Sequence, residues 1–433
     1  MSAHGEDIDG FFTTARTAGR SEAVAQAAGS FRDYLYDLDD PTLAPYRGMG
    51  YEEFTADRYT APFLRELLET WEGLYREPFV GITTGGEPEP GRYRLPDEPF
   101  GDDAEAIAAA GRLLDALSPA GRARISYPVD APEWRGWSNP EFVFFRTGIR
   151  LEDEDEPAVD AVHALMRATL SPEGYDRVRE AMRLNGYLGE LTRLPTVMNE
   201  RSYWFAIFGE PGEGPWGWQL FGHHAAVNFV SVGGRHVVAP VFLGGEPAVA
   251  EGREPLFAAR ERLAIELAES LTGAQRAAAV VYDSVLDPAM PEGRLHPADE
   301  RHVAGAFRDN RVVPYEGILA SELDAHQQEL LRAIVEDFLL LLAEPQRAAT
   351  LAEVEATLAE TRFSWYGATD GSEPCYFRIH GPVILAELDH HAGVWLANRL
   401  PARFHVHTTL RMPNGNDYGK AYLAEWMRRH AGS

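Results

Sequence analysis

The chain has 433 residues, with 67 acidic against 40 basic side chains and a formal net charge of −27. Such an acidic chain repels the phosphates of nucleic acids and anionic lipid headgroups, so we expect neither nucleic acid nor a membrane as partner. The single cysteine, Cys375, excludes an internal disulfide and a thiolate cage for zinc or an iron–sulfur cluster.

The N-terminal sequence favours a cytoplasmic location. Residues 1–9 are acidic and lack a basic region followed by an apolar one, so the sequence predicts no secretory signal. No window reaches the roughly eighteen uninterrupted apolar residues that predict a transmembrane helix. With nucleic acid and membrane unexpected as partners, we expect a small-molecule substrate. The composition leaves the oligomeric state open.

The first part of the chain, residues 1–195, has mainly helical patterns. Apolar residues recur at helical spacing from Ser21 to Leu38 and from Ala61 to Tyr75. The acidic run from Glu152 to Glu156 predicts the start of a helix that continues to Leu170, because carboxylates stabilise the positive end of the helix dipole.

Four short signatures each place Ser, Thr or Asp at a helix N-cap, directly after a leucine. Their separations of 53, 101 and 52 residues exclude a short-period solenoid and leave an old duplication open. The four signatures are Leu117-Ser118-Pro119, Leu170-Ser171-Pro172, Leu271-Thr272-Gly273 and Leu323-Asp324-Ala325.

The central region, Tyr203 to Phe242, has three apolar and aromatic runs separated by Gly and Pro clusters. This pattern predicts a three-stranded antiparallel meander with His223 and His224 in its middle strand. Side chains alternate across a strand, so only one of two consecutive histidines can face a given side. We favour His224 as the inward group, and Asn228, four residues on, shares its face.

The C-terminal half returns from helices to strands. Four helical stretches and a closing helix surround four strand-like runs, which predicts an α+β fold whose sheet joins the central meander to the C-terminal strands. The expected organisation is a helical region, 1–195, and an α+β region, 196–433, or one continuous body. The helical stretches are 255–270, 273–282, 324–343, 346–362 and 418–430; the strand-like runs are 362–366, 375–380, 383–389 and 403–411.

Residues 212–217 match the glycine spacing of a dinucleotide-binding loop, Gly-x-Gly-x-x-Gly. The segment contains Pro215 and leads into a strand instead of a helix, so it predicts a hairpin turn and no nicotinamide cofactor. The sequence has no Walker loop, no Gly-x-Ser-x-Gly elbow and no His-Glu-x-x-His helix, which removes the commonest nucleotide-binding, serine-hydrolase and zincin interpretations.

His405-Val-His407 lies in a strand-like stretch, so both imidazoles project from one face. Two neutral imidazoles on one face can bind a single ion, although a solvated or hydrogen-bonded pair is an equally ordinary interpretation. Asp389 ends an apolar strand, where a carboxylate is costly unless it is paired or ligated; the alternative is a cap on the next turn.

We expect one metal site formed by His224 or His223 together with His405, His407 and Asp389. Asn228, Arg411 and Glu316 are predicted to lie around it. Arg411 shares the strand face of His407 and could hold a substrate carboxylate, or form a surface salt bridge instead. Glu316 precedes a helix and is a candidate second carboxylate.

Several segments together resemble the bacterial family catalogued as domain of unknown function 3500, over nearly the whole chain. The Gly-His-His and His-x-His-Thr segments are the most specific parts of the resemblance. The family name implies no reaction, so the function rests on the ligand-like residues. The segments are 78–84, 203–204, 217–218, 222–228, 315–318, 376–382, 387–389, 405–411 and 416–419.

A histidine-rich site with one carboxylate and no thiolate can hold zinc and activate water, or hold iron or copper and activate oxygen. Aromatic residues around the central histidines favour a dry pocket, which suits oxygen chemistry better than hydrolysis. The sequence thus predicts an oxygen-using oxidoreductase with non-haem iron or copper, acting on a small polar organic molecule. Zinc or manganese, a hydrolase or lyase, and a non-enzymatic binding protein are the alternatives.

Overall fold

The computed structural model describes residues 29–98, 100–296 and 298–431. Of the helix expected from Ser21 to Leu38, residues 21–28 lie outside the described part. The remainder forms only a short 3-10 turn, Phe31–Tyr34, capped by Ser30, so the prediction of an α-helix there was wrong. The backbone turns to an extended conformation at Leu35, which ends the turn.

Eleven α-helices lie within the described residues. None of them is long and apolar enough to cross a membrane. Their bounds are α1 Tyr51–Arg58, α2 Pro62–Arg76, α3 Ala104–Ala116, α4 Pro119–Ile125, α5 Glu156–Thr169, α6 Pro172–Thr192, α7 Ala258–Ser270, α8 Gly273–Ala279, α9 Ala325–Phe338, α10 Gln346–Ala356 and α11 Lys420–His430.

In the described part of the chain, twelve strands form one mixed sheet, which confirms the α+β class. Short strands from residues before 195 join the same sheet as the later strands. The strands are β1 Ser126–Tyr127, β2 Ile149–Arg150, β3 Tyr203–Phe208, β4 Trp216–Gly222, β5 Ala225–Val232, β6 Arg235–Gly245, β7 Val280–Tyr282, β8 Ile318–Leu319, β9 Arg362–Tyr366, β10 Tyr376–His380, β11 Leu385–His390 and β12 Val406–Arg411.

The sheet consists of two four-stranded antiparallel units, β3 to β6 and β9 to β12, joined where β6 pairs with β12. At each outer edge a short strand runs parallel, β1 beside β3 and β7 beside β9. A further short strand pairs antiparallel with the same edge strand, β2 with β3 and β8 with β9. The sequence of elements from α3 to β6 is therefore repeated from α7 to β12.

The two faces of the sheet have different coverings. On one face, Trp218 donates a hydrogen bond to Thr169 of α5, and Phe377 packs against Phe338 of α9. The opposite face meets irregular segments, residues 128–148 and 283–317, instead of helices. Arg301, in the second of these segments, bonds Asp389 of β11. The candidate site lies on the face covered by these irregular segments.

The central meander differs from the sequence-based prediction in one respect that matters for the site. The run that we assigned to a single middle strand is two strands, β4 and β5, and His223 and His224 form the two-residue turn between them. His224, the second residue of the turn, has φ 62°, in the left-handed region. Strand alternation therefore does not decide the orientations of these two histidines.

The N-cap signatures are confirmed for all four helices. Ser118, Ser171, Thr272 and Asp324 each accept a hydrogen bond from the backbone N–H three residues on. The glycine-spaced segment 212–217 runs from the β3–β4 turn into the start of β4, which confirms the predicted hairpin.

Ser171 makes two interactions, whereas Ser118 caps its helix alone. The Ser171 hydroxyl accepts from Gly174 N at 2.8 Å and donates to Leu340 O at 2.5 Å. We expect Ser171→Ala to lower the free energy of unfolding by about 2 kcal/mol, against about 1 kcal/mol for Ser118→Ala. Urea denaturation of the two variants measures this difference, and equal losses would contradict the role of the Leu340 contact.

Candidate functional site

Three histidine side chains converge at the junction of the two halves of the sheet. His224 comes from the β4–β5 turn, His405 directly precedes β12, and His407 is its second residue. Nε2 of His407 lies 3.0 Å from Nε2 of His405 and 3.1 Å from Nε2 of His224. All three side chains are buried. We call these three residues the histidine cluster.

The two short contacts among the Nε2 atoms of the histidine cluster cannot both be hydrogen bonds. His405 uses Nδ1 to donate to Ala392 O at 2.7 Å, so its Nε2 is unprotonated when the ring is neutral. Nε2 of His407 carries at most one hydrogen, so one of its two short contacts has no hydrogen to share. A cation can accept all three lone pairs, and tetrahedral ligation at about 2.05 Å places nitrogens about 3.3 Å apart.

Gly244 of β6 makes room for this arrangement. It lies opposite His407 in the β6–β12 ladder, on the same face. A Cβ at Gly244 would meet Cδ2 of His407 at 2.8 Å and Cδ2 of His224 at 3.1 Å. A glycine is therefore needed for the two rings to approach each other.

Neighbouring polar groups fix the orientation of the turn histidines. The backbone N–H of His224 donates to Oδ1 of Asn139 at 3.2 Å. Nδ1 of His223 lies 2.8 Å from Oδ1 of Asn185, and its ring stacks on that of His224 at 3.8 Å. His223 therefore supports His224, whereas His224 points into the cluster.

Burial keeps these imidazoles in the form that binds metal. It lowers the pKa of both His223 and His405 to about 3. Burial and the neighbouring histidines also hold the pKa of His224 and His407 well below 6.5. The rings are therefore neutral at pH 7, and neutral imidazole is the species that donates a lone pair to a metal ion.

Asp389 lies next to the cluster but belongs to a different group. It faces His407 across the β11–β12 ladder. Its Oδ1 accepts from Nε of Arg301 at 2.6 Å, and its Oδ2 lies 3.1 Å from Nε2 of His391. Ligand atoms of Glu300, Asp389 and His391 lie within 4.8 Å of one another. Asp389 is thus adjacent to the three-histidine site that we expected it to complete.

His302 approaches from the irregular segment that covers this face. Its ligand atom lies within 4.8 Å of those of His391 and His407. Nδ1 of His302 lies 3.4 Å from Oε2 of Glu387. Burial alone would raise the pKa of Glu387, but His302 and other partners lower it to about 2. Burial likewise opposes the charge on His302, yet Glu387 raises its pKa overall.

Glu387 is held in place by several donors. Tyr376 Oη lies 2.6 Å from its Oε1, and Val303 N donates to the same oxygen at 2.9 Å. Thr409 Oγ1 lies 2.9 Å from Oε2. A carboxylate so firmly held fixes the orientation of the His302 ring behind it.

The structure places Arg411 away from the position expected for a substrate ligand. Its guanidinium is fully buried and donates to Asp309 at 2.6 Å and to Asp417 at 3.0 Å. It also donates to the backbone oxygens of Ala304 and Gly305. These partners occupy the guanidinium, so Arg411 joins the covering segment to the sheet and has no donor fork free for a substrate carboxylate.

Asn228 and Glu316 also lie outside the cluster. Asn228 accepts from Gln219 Nε2 at 2.6 Å and donates to Pro240 O, so it ties three strands together. Glu316 lies 2.9 Å from the guanidinium of Arg378 and accepts from Tyr366 Oη at 2.8 Å, at the far edge of the β9–β12 unit. Neither side chain has a direct contact with the histidine cluster.

Sequence reasoning missed His302, Glu300 and Arg301 and gave His391 no ligand role. The first three lie consecutively in a segment without strand or helix periodicity. No local pattern marks them, because their partners are at least 80 residues away in the sequence: Glu387, Asp389 and His391. Only Glu300, with φ 46°, has an unusual backbone conformation, and a sequence does not display it.

The model of a protein family described as "Protein of unknown function (DUF3500)" matches residues 101–420. The matched range contains all residues of the histidine cluster and its neighbours, which confirms the resemblance noted in the sequence. No match was found among curated proteins or among solved structures.

Proposed function

The chain belongs to the DUF3500 family, whose name carries no reaction, and we propose from the site alone that it is a metal-dependent oxidoreductase. The metal would be iron or copper, held by His224, His405 and His407. The reactants would be dioxygen and a small polar organic molecule. When bound, such a metal supplies the electron exchange with dioxygen that organic side chains lack.

The convergence of three Nε2 atoms supports metal binding most strongly. The contacts of 3.0 and 3.1 Å cannot both be hydrogen bonds, and the rings are buried and neutral. Assembling such a set without a ligand would leave buried polar atoms unsatisfied, which costs about 1–3 kcal/mol for each. A bound cation removes that cost and accounts for Gly244 at the contact between the rings.

The neighbouring carboxylates favour redox chemistry over hydrolysis. A hydrolytic zinc site uses a carboxylate that can take a proton from a bound water. Asp389 and Glu300 each accept a hydrogen bond from a buried guanidinium, and Glu387 accepts from several donors. Glu246 lies 3.9 Å from Nδ1 of His405, on the side of the ring away from Nε2. These carboxylates are therefore poorly placed to act as a general base.

The surroundings of the cluster support a small reactant. Phe242 packs against the His407 ring at 4.9 Å, and His224, His405 and His407 are each at most 4 % exposed. Water exclusion protects reactive oxygen chemistry from side reactions.

Metal analysis of protein purified without chelator or added metal tests the proposal. We expect iron or copper in at least a 1:1 ratio to the chain, and oxygen uptake with one or more members of a panel of small alcohols, amines and carboxylates. His405→Asn should remove the metal ion of the histidine cluster and abolish the oxygen uptake, because the asparagine amide can still donate to Ala392 O but has no atom in place of Nε2.

His380→Asn is the matched control. His380 is a buried histidine on β10 of the same sheet and belongs to no candidate metal group. Its replacement should leave metal content and oxygen uptake unchanged. Zinc alone, with turnover that persists without oxygen, would favour the hydrolase or lyase alternative. A bound small molecule without metal, retained by His405→Asn, would favour the non-enzymatic one.

A further inference from the structure

We propose that a second divalent cation binds beside the histidine cluster, on the unpartnered Nε2 atoms of His302 and His391, with the carboxylate of Asp389 next to His391. The inference extends the proposed function. It rests on that function in one respect: His407, a residue of the histidine cluster, also lies beside His302 and His391. It would make the site a dinuclear centre with two unlike ligand sets, three imidazoles on one side and two imidazoles beside a buried carboxylate on the other.

His302 presents an unused ligand atom to this position. Its side chain is buried, and its Nε2 has no hydrogen-bond partner. The other ring nitrogen faces Glu387 at 3.4 Å and Thr409 at 3.5 Å. Metal-binding histidines usually have such a carboxylate behind the ring, because it fixes the ring orientation and makes the free nitrogen a better donor.

His391 presents a second unused nitrogen. Its Nε2 is buried and makes no hydrogen bond, although Oδ2 of Asp389 is only 3.1 Å away. Two ligand atoms of one metal ion are separated by about this distance. The backbone N–H of His391 donates to His405 O at 2.8 Å, so this second position is fixed relative to the first.

The charges beside His391 also favour a cation. Asp389 and Glu300 are both buried, and both bond the single guanidinium of Arg301. Two buried carboxylates thus share one positive charge, and an uncompensated buried charge is costly. A cation on Nε2 of His391 would lie beside Oδ2 of Asp389 and supply the missing charge, while Oδ1 keeps its bond to Arg301.

The two cations would use different parts of the same cluster. The ligand atoms of His302, His391 and His407 lie within 4.8 Å of one another, as do those of His224, His405 and His407. Dinuclear enzyme sites hold their metal ions about 3.5–4 Å apart. His407 belongs to both groups, and its Nε2 faces the first ion, so the second position lies next to the first.

Cobalt(II) reconstitution of the chelator-treated full chain tests the proposal. After gel filtration we expect about two cobalt ions per chain in the unmodified protein and about one in His302→Asn. The asparagine amide can still donate to Glu387 but lacks the outer nitrogen. His391→Ala should also retain about one, which provides a second test should His302→Asn fail to fold. His405→Asn should lose the other ion, and His380→Asn should keep both.

The outcomes separate this inference from the proposed function. One cobalt ion in the unmodified chain, retained in His302→Asn and lost in His405→Asn, would overturn the second position and leave the first. An ion lost in His302→Asn but retained in His405→Asn would refute the three-histidine site while supporting this one. No bound cobalt in the unmodified chain would refute both.

Discussion

Gly244→Ala is expected to lower the affinity of the histidine cluster for metal by at least about tenfold, the usual effect of losing support around a metal ligand. An alanine Cβ at this position would lie 2.8 Å from Cδ2 of His407 and 2.9 Å from Val406 O. The imidazole of His407 must therefore move. Bonds of about 2 Å to a shared ion do not survive a ring displacement of about 1 Å.

Competition with a chromogenic chelator measures the affinity, and Gly111→Ala is the control. Gly111 lies in α3, and a Cβ there meets nothing within 4 Å. Its replacement should leave metal affinity unchanged. Equal affinities for Gly244→Ala and the unmodified chain would show that the rings need not approach as closely as they do here, and would remove the structural reason for a glycine in β6.

The His-x-His pair was accessible from sequence because its evidence is local. Two residues that alternate along a strand share a face whatever the strand pairs with, and His405 and His407 meet at 3.0 Å. The N-caps were predictable for the same reason, since the cap and the N–H that it satisfies are three residues apart. Local chemistry of this kind does not depend on topology.

The placement of His224 was only partly predictable. Strand alternation gave the correct preference over His223 for an incorrect reason, because both residues lie in a turn. Two-residue hairpin turns normally use Gly, Asn or Asp at positive φ. The sequence Gly-His-His-Ala at 222–225 has none of these at its two central positions, so it does not indicate a turn. The left-handed φ of 62° at His224 is maintained by pairing on both sides, where Gly222 faces Ala225.

The roles of Arg411 and Asp389 depended on a segment whose path the sequence does not reveal. Residues 283–317 cross the sheet face and bring Arg301 to Asp389 and Asp309 to Arg411. Each contact joins residues about 90 to 100 positions apart. A strand pattern predicts which face of the sheet a charged side chain lies on. It does not predict which residue of opposite charge will pair with that side chain.

The repeated order of elements was also hidden by a coincidence of spacing. Ser118 and Thr272 cap equivalent helices, α4 and α8, in the two halves. Ser171 caps α6, whereas Asp324 caps α9, which is the counterpart of α5. The similar separations of 53 and 52 residues thus join caps that are not equivalent. The order of strands reveals the repeat, and no short signature does.

His380→Leu is expected to make the protein more resistant to acid. His380 is buried, neither ring nitrogen has a hydrogen-bond partner, and its ring packs on Tyr315 at 4.6 Å. Burial, together with the charge of Arg378, lowers its pKa from 6.5 to about 3, although Glu387 opposes the shift. Between these two pH values the unfolded chain binds a proton that the folded chain does not.

The sign follows from that difference in proton binding. His380 has no proton-linked effect on stability above about pH 6.5, and its contribution to the free energy of unfolding falls as the pH drops towards 3, by at most about 5 kcal/mol. Leucine has no proton to bind and about the same volume, so the variant avoids this loss. Glu246 and Asp417 act in the opposite direction, because burial raises their pKa values to about 7 and about 6. Both are present in parent and variant, so their contributions cancel in the comparison.

Urea denaturation of parent and variant at pH 8 and pH 5 provides the measurement. We expect the variant to be more stable at pH 8 already, because it removes two unpartnered buried nitrogens. Its advantage should grow by about 2 kcal/mol at pH 5, since each pH unit below 6.5 corresponds to about 1.4 kcal/mol. His326→Leu, at an exposed position in α9, controls for the loss of a histidine at the surface. A difference between parent and His380→Leu that is the same at both pH values would instead reflect packing against Tyr315, and would mean that His380 is not kept uncharged by burial.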